Sequence, residues 1–206
     1  MDKKIIMKRT LFLCILSIFY CSIAVAQSPN ESAFRFGFKA GVNFSHMDFS
    51  KGSPPLPLET NWNTGITFGF VMLIPITGKL YFQPEYLYAQ MGGSIKNSDT
   101  SYKLNYISMP LFLKYKFNDK FSLISGPQAD ILINAKRNIH GVGSNVTHDT
   151  EERSIAVSGG IEYSFIPSLS VCAKYMYGFN HIGLGQRSDT QEFKFAMFQL
   201  SACVQF

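Results

Sequence analysis

Beyond residue 34 the 206-residue sequence has no apolar helical period and no run long enough for a membrane-crossing helix. Helical bundles, helix-spanning membrane proteins and α/β enzymes built on crossover helices are thereby excluded. A basic stripe with interleaved aromatics is also missing, which removes nucleic acid as a partner. Histidine and cysteine show no strict ligand spacing, so neither a metal nor any other cofactor is expected. Cysteine itself is sparse: apart from Cys14 and Cys21 near the N-terminus, only Cys172 and Cys203 occur.

The N-terminus sets the compartment. Lys3, Lys4, Lys8 and Arg9 precede a short apolar run from Leu11 to Val25, and Ala24-Val25-Ala26 supplies small residues for signal peptidase. The 15 residues of that run fall short of the span a bilayer core requires. Cys14 and Cys21 follow Leu13 and Tyr20, where a lipobox wants a small residue. The expectation is a signal peptide over 1–26, a periplasmic N-terminal segment over 27–35, and one domain over 36–206. Residues 1–26 hold four of the nineteen basic side chains and one of the fourteen acidic ones, so the formal charge of +5 falls to +2 in the mature chain.

What fills that domain is alternation. Eight segments place apolar and polar residues on opposite faces: 36–44, 66–74, 82–89, 107–117, 122–131, 154–165, 169–179 and 193–206. The last is the clearest, with Phe198, Leu200, Ala202, Val204 and Phe206 against Gln199, Ser201, Cys203 and Gln205. Long connections (Ser45 to Trp62, Gly92 to Ser101, Ala135 to Arg153, His181 to Glu192) alternate with short ones (Pro75 to Lys79, Asn118 to Lys120, Ile166 to Ser168). That rhythm predicts an all-β, eight-stranded antiparallel up-and-down transmembrane barrel, with short periplasmic turns, longer extracellular loops and both termini periplasmic.

A lipocalin or a soluble sandwich would alternate too, with its apolar side buried. Strand length suits a tilted membrane strand, and aromatics cluster near strand ends as interfacial girdles do. The polar faces combine glycine and serine with scattered charges, which suits a narrow lumen. Pro84, Pro110 and Pro127 fall inside strands, where proline cannot donate to the ladder, so a bulge or distorted pairing is expected.

Asn105-Tyr106-Ile107-Ser108-Met109-Pro110-Leu111-Phe112-Leu113-Lys114-Tyr115-Lys116-Phe117 resembles the characteristic strand of the PorT-type outer-membrane β-barrel family of Bacteroidetes-like bacteria. Phe82-Gln83-Pro84-Glu85, Gly126-Pro127, Gly159-Gly160-Ile161-Glu162-Tyr163 and Lys174-Tyr175-Met176-Tyr177-Gly178 resemble its other recurring pieces. The resemblance implies an integral outer-membrane protein with prolines in these strands; a subset of the family assists type IX secretion. The C-terminal aromatic Phe206 is similar to the assembly signal of outer-membrane barrels, implying the outer-membrane assembly machinery as a partner. Lipid bilayer and lipopolysaccharide are the other expected partners, the surface ligand is unassigned, and the chain is expected to be a monomer.

The candidate site is the lumen. Lys39, Lys114, Lys116 and Lys174 read inward with Glu85, Asp130 and Glu162, and Gln83 and Gln128 lie between them. An eight-stranded barrel holds little more than its own side chains, and buried charges persist only when paired. The expectation is an ion-paired plug; a proton or ion path is the alternative. Cys172 and Cys203 also read inward, either as small lumen residues or as a disulfide. The expectation is a non-enzyme acting structurally or through its outer loops. The contrasting reading is a lipid A-modifying enzyme, drawing on His46, His140, His148 or His181 with Ser144, Ser188, Asp48, Asp149 or Glu151.

Overall fold

A computed structural model of the chain describes residues 34–49, 59–184 and 191–206, so the expected signal peptide lies outside the described residues. Among the described residues ten strands form: β1 (Arg35–Asp48), β2 (Thr60–Thr77), β3 (Leu80–Ile95), β4 (Thr100–Lys116), β5 (Phe121–Ile139), β6 (Val142–Asn145), β7 (Arg153–Ile166), β8 (Leu169–Gly178), β9 (Ile182–Leu184) and β10 (Gln191–Gln205). Eight of them are staves. Each pairs antiparallel with the next in the order β1-β2-β3-β4-β5-β7-β8-β10, and β10 returns to β1. Lys39 opposite Cys203 and Phe44 opposite Phe198 fix the register of that closing seam. Beyond Gly37, Phe36 N–H donates to the Phe206 carbonyl at 3.2 Å and Phe206 N–H to the Phe36 carbonyl at 2.8 Å. Closure leaves no exposed sheet edge around the barrel wall.

Tight turns join β2 to β3, β4 to β5 and β7 to β8 at the rim that also carries residues 35 and 206. Gly78 takes φ +45° there, and the Asn118 side-chain oxygen accepts from Lys120 N–H and Phe121 N–H, each at 2.9 Å. The opposite rim holds the longer connections, but they are more regular than expected. The stretch from Gly92 to Ser101 continues the β3–β4 ladder up to Ser94 opposite Ser101, with only Lys96 to Asp99 outside the strands. Within 135–153, β6 folds back on β5 through His140 and Gly141, whose φ of +50° and +82° suit a tight hairpin. β9 pairs with the start of β10.

The face assignment is inside out relative to a soluble sandwich. Phe36, Phe70, Leu113, Ile155 and Phe198 are outward and exposed, while Lys39, Gln83, Glu85, Ser108 and Gln128 are buried. Such a continuous exposed apolar wall is stable only against hydrocarbon. Rings collect near both its ends. Phe121 and Tyr163 (5.0 Å) lie towards the short-turn rim, and Trp62 and Phe198 (5.7 Å) with Tyr175 (4.7 Å from Phe198) towards the other.

Of the two forms expected at the prolines, the structure shows distorted pairing and not a bulge. No register shift occurs at Pro84, Pro110 or Pro127. The β3–β4 ladder is instead interrupted between Pro84 opposite Leu111 and Leu87 opposite Ser108, and resumes in the same register. Between β4 and β5 the same happens from Pro110 opposite Gln128 to Leu113 opposite Ser125. A missing donor removes pairing locally without adding a residue to either strand. The bulges lie elsewhere, one of them at Asn105/Tyr106 of β4 opposite β5.

Candidate functional site

Alternating backbone geometry aims one side chain in two into the barrel, and strand length stacks them in three layers. The layer at the short-turn rim is a cavity of about 300 Å³ lined by Arg35, Lys114, Lys116, Asp119, Ser164 and Gln205 among others. Lys116, expected in the lumen network, belongs here: it is half-buried, with Nζ 4.7 Å from the centre of the Tyr81 ring. It is the last inward position of β4, so its long stem reaches the rim.

The middle layer is the polar network. Lys39 of β1 is ion-paired with Glu85 of β3, and Lys114 of β4 with Glu162 of β7, all four side chains buried. Gln83 Nε2 donates to Glu85 Oε1 at 2.8 Å. Gln128 mediates the third charge set: its Nε2 donates to Asp130 Oδ1 at 2.9 Å, while its Oε1 accepts from Ser158 Oγ at 2.6 Å and from Lys174 Nζ at 3.4 Å. Lys174 also lies 5.3 Å from the centre of the Phe112 ring. Three buried cations thus balance three buried anions. Removing the partner of any one would leave a charge in a region without bulk water. Glu85 Oε2, Glu162 Oε2 and Asp130 Oδ2 have no protein partner.

The upper layer was not anticipated. Inward positions near the long-connection rim are apolar: Met47, Phe49, Met91, Leu104, Tyr106, Phe193, Phe195 and Met197 form one buried cluster with their neighbours. Phe193 stacks edge-on to Phe195 at 4.9 Å and Tyr106 edge-on to Phe195 at 6.1 Å. The described interior therefore holds a buried polar network below and a buried apolar cluster above. The signal was present in the sequence, since these residues keep the inward parity of their strands while the outward ones become polar.

On the outside the switch is sharp. Just beyond the apolar belt, Gln90 Nε2 donates to Asn105 Oδ1 at 3.0 Å and Asn105 Nδ2 to Asn134 Oδ1 at 2.9 Å, an amide ladder across β3, β4 and β5.

Cys172 and Cys203 are buried, free thiols. The β8–β10 register sets Cys172 opposite Ser201 and Cys203 opposite Ser170, so the two are diagonal rather than facing. The histidines are dispersed along the long-connection rim. His46 Nε2 is 2.9 Å from Thr60 Oγ1, His140 Nε2 3.7 Å from Asp99 Oδ2, and His181 Nδ1 3.9 Å from Glu192 Oε2. His148 lies in the short 3₁₀ turn Thr147–Asp149, and Ser188 is outside the described residues. No group of three metal-ligating side chains gathers among the described residues.

The family model of the outer membrane protein beta-barrel domain matches residues 25–183. Among solved structures, the chain is similar to Neisserial surface protein A, with 14% identity and a TM-score of 0.51, covering 84% of this chain and 97% of that one. It is also similar to Ail, the attachment invasion locus protein of Yersinia pestis, with 16% identity and a TM-score of 0.51, covering 84% of this chain and 98% of that one. None of the curated proteins matches the sequence.

Proposed function

This chain belongs to the outer membrane protein beta-barrel domain family, and from that premise we propose that it is a closed, non-catalytic barrel acting at its long-connection rim. As an integral outer-membrane protein it exposes two rims to water. In this reading the short-turn rim and both termini face the periplasm. The other rim faces outward, where it binds a surface partner or contributes to envelope integrity as a monomer. The observation that carries the reading is the apolar plug formed by Met47, Met91, Tyr106, Phe193 and Phe195. A pore-forming role would require a wet path through those layers, and among the described residues aromatic and methionine side chains are packed together there. What remains available for recognition is the projecting end of the sheet, with its polar turns around Asn97 and His140. The likeness of Asn105–Phe117 to the PorT-type strand supports the same placement, with the outer-membrane assembly machinery recognising Phe206.

The test is paired. Single cysteines at Ser98 or Gly143 on one rim and at Lys79 or Lys120 on the other are exposed to an impermeant maleimide in intact cells. Labelling of the first set alone supports the orientation, and labelling of the second set alone overturns it. In planar bilayers the parent protein is expected to give no steady conductance; a stable open channel would overturn the closed lumen.

A further inference from the structure

The outward face beyond the amide ladder carries an unusual pairing. Lys103 of β4 and Lys136 of β5 are direct cross-strand partners, both exposed. Like charges opposite each other on one sheet face destabilise it, and among the described residues no acid is ion-paired with either. The row continues to Gly92 on one side and Asn145 on the other. The row above holds Ser94, Ser101, Asn138 and Gly143, and the row below is the amide ladder, so none of the three rows contains an acid. Among the described residues neither ammonium has a hydrogen-bonding or ionic partner. Of the surrounding acids, Asp99, four residues before Lys103 in the chain, lies beside His140, Asp149 ends the turn that follows β6, and Glu152 joins the wall beside Leu132; among the described residues none forms an ion pair with either lysine.

We propose that Lys103 and Lys136 together hold the phosphate of a lipid headgroup in the leaflet at the long-connection rim. This rests on the membrane-barrel reading above. Height supports a lipid rather than a soluble ligand. Lys103 stands four residues beyond the belt residue Ile107, about 14 Å along the strand and about 10 Å above the belt once strand tilt is included. A bilayer's headgroup layer extends about 5–7 Å beyond the hydrocarbon, and lysine stems bend back by several ångströms to place the ammonium at that level. The Asn105 and Asn134 amides lie at the foot of the pair, offering further hydrogen bonds where lipid phosphates and sugars begin. Two ammonium groups converging on one diester or monoester phosphate convert a repulsive pair into a bridged one.

The experiment uses the mature chain refolded into phosphatidylcholine vesicles, with and without bisphosphorylated lipid A, and with inorganic phosphate as a separate arm. Thermal unfolding is followed by heat-modifiable gel mobility. The parent barrel is expected to gain thermal stability with lipid A, and the gain should shrink as salt is raised. Lys103→Gln/Lys136→Gln should lose most of that gain and yet be at least as stable as the parent in pure phosphatidylcholine, because the repulsion is gone. Lys103→Arg/Lys136→Arg should keep it, and Lys79→Gln/Lys120→Gln at the opposite rim should keep it too. A gain that survives the double glutamine change overturns the site, and so does an equal gain from inorganic phosphate alone. A chain that never yields a heat-modifiable species in any vesicle overturns the barrel reading itself.

Discussion

Lys39 and Glu85 meet across the interior from strands separated by β2, both side chains withdrawn from solvent, so that neither charge has water as an alternative partner. Glu85→Ala or Lys39→Ala alone is expected to cost about 3–5 kcal/mol, since each strands an uncompensated ion. Replacing both with apolar residues of similar volume should cost clearly less, giving strong coupling in a double-mutant cycle. Urea unfolding from lipid vesicles measures this, and additive single effects would contradict the pairing.

On the outer wall the sign of tolerance reverses. Ala40→Lys or Leu111→Lys, near mid-height of the belt, should each cost about 2–4 kcal/mol in vesicles. Gly160→Ala acts by a different route. Its added methyl would lie 2.3 Å from the Ala173 carbonyl oxygen and 2.8 Å from Lys174 Cα, so the β7–β8 ladder must part. An overpacking cost of about 1–3 kcal/mol is expected, the same in thick and thin bilayers.

The lumen thiols offer a direct chemical assay. Folded protein should resist a bulky maleimide, because Cys172 and Cys203 are each 1% exposed. Unfolding in urea without reductant should make both react. Reaction that requires prior reduction would establish a disulfide in place of the free diagonal pair.

Phe206 separates delivery from stability. Its ring is 55% exposed on the outer wall, and full burial of such a side chain contributes only about 1.5–3 kcal/mol. Phe206→Ala keeps the two seam hydrogen bonds with Phe36, whereas deletion removes both. In vitro refolding should therefore suffer more from deletion than from the alanine change. Outer-membrane abundance in cells should fall steeply for both; normal abundance of Phe206→Ala would reduce the ring to an ordinary lipid-facing group.

The barrel's staves and faces were legible because hydrocarbon outside and a crowded lumen inside impose a two-residue period. Every lumen residue predicted from that period points inward, Lys116 alone reaching the rim. The ladder beyond the belt was obscured. At 92–101 the signals Gly92-Gly93 and Asn97-Ser98-Asp99 mark loops in isolation, yet the strand continues because Met91, Tyr102 and Leu104 turn apolar sides inward. There the surroundings change from lipid to water, and the pattern inverts: His46 replaces the aromatic of Phe44, and Gln90 that of Tyr88, while Met47 and Met91 take the interior. Pairing of Lys39 with Glu85 rather than with Glu162 depends on strand stagger, which a one-strand pattern does not encode.

The same inversion gives the barrel a waterline. Along β4 and the residue just past it, the outward belt runs from Phe117 to Ile107 and stops at Asn105, roughly 34 Å of chain and about 26 Å of height at the usual tilt. Above it stand amides and lysines, below it Arg35 and the lysines of the turns, so neither end sinks readily to accommodate a thicker film. A bilayer of average hydrocarbon thickness must instead pucker inward around the wall, and several such barrels share that distortion at lower cost side by side. Such a belt suits a thin membrane, and in a thick one elastic strain in the lipid would favour copies lying side by side without any contact between their surfaces.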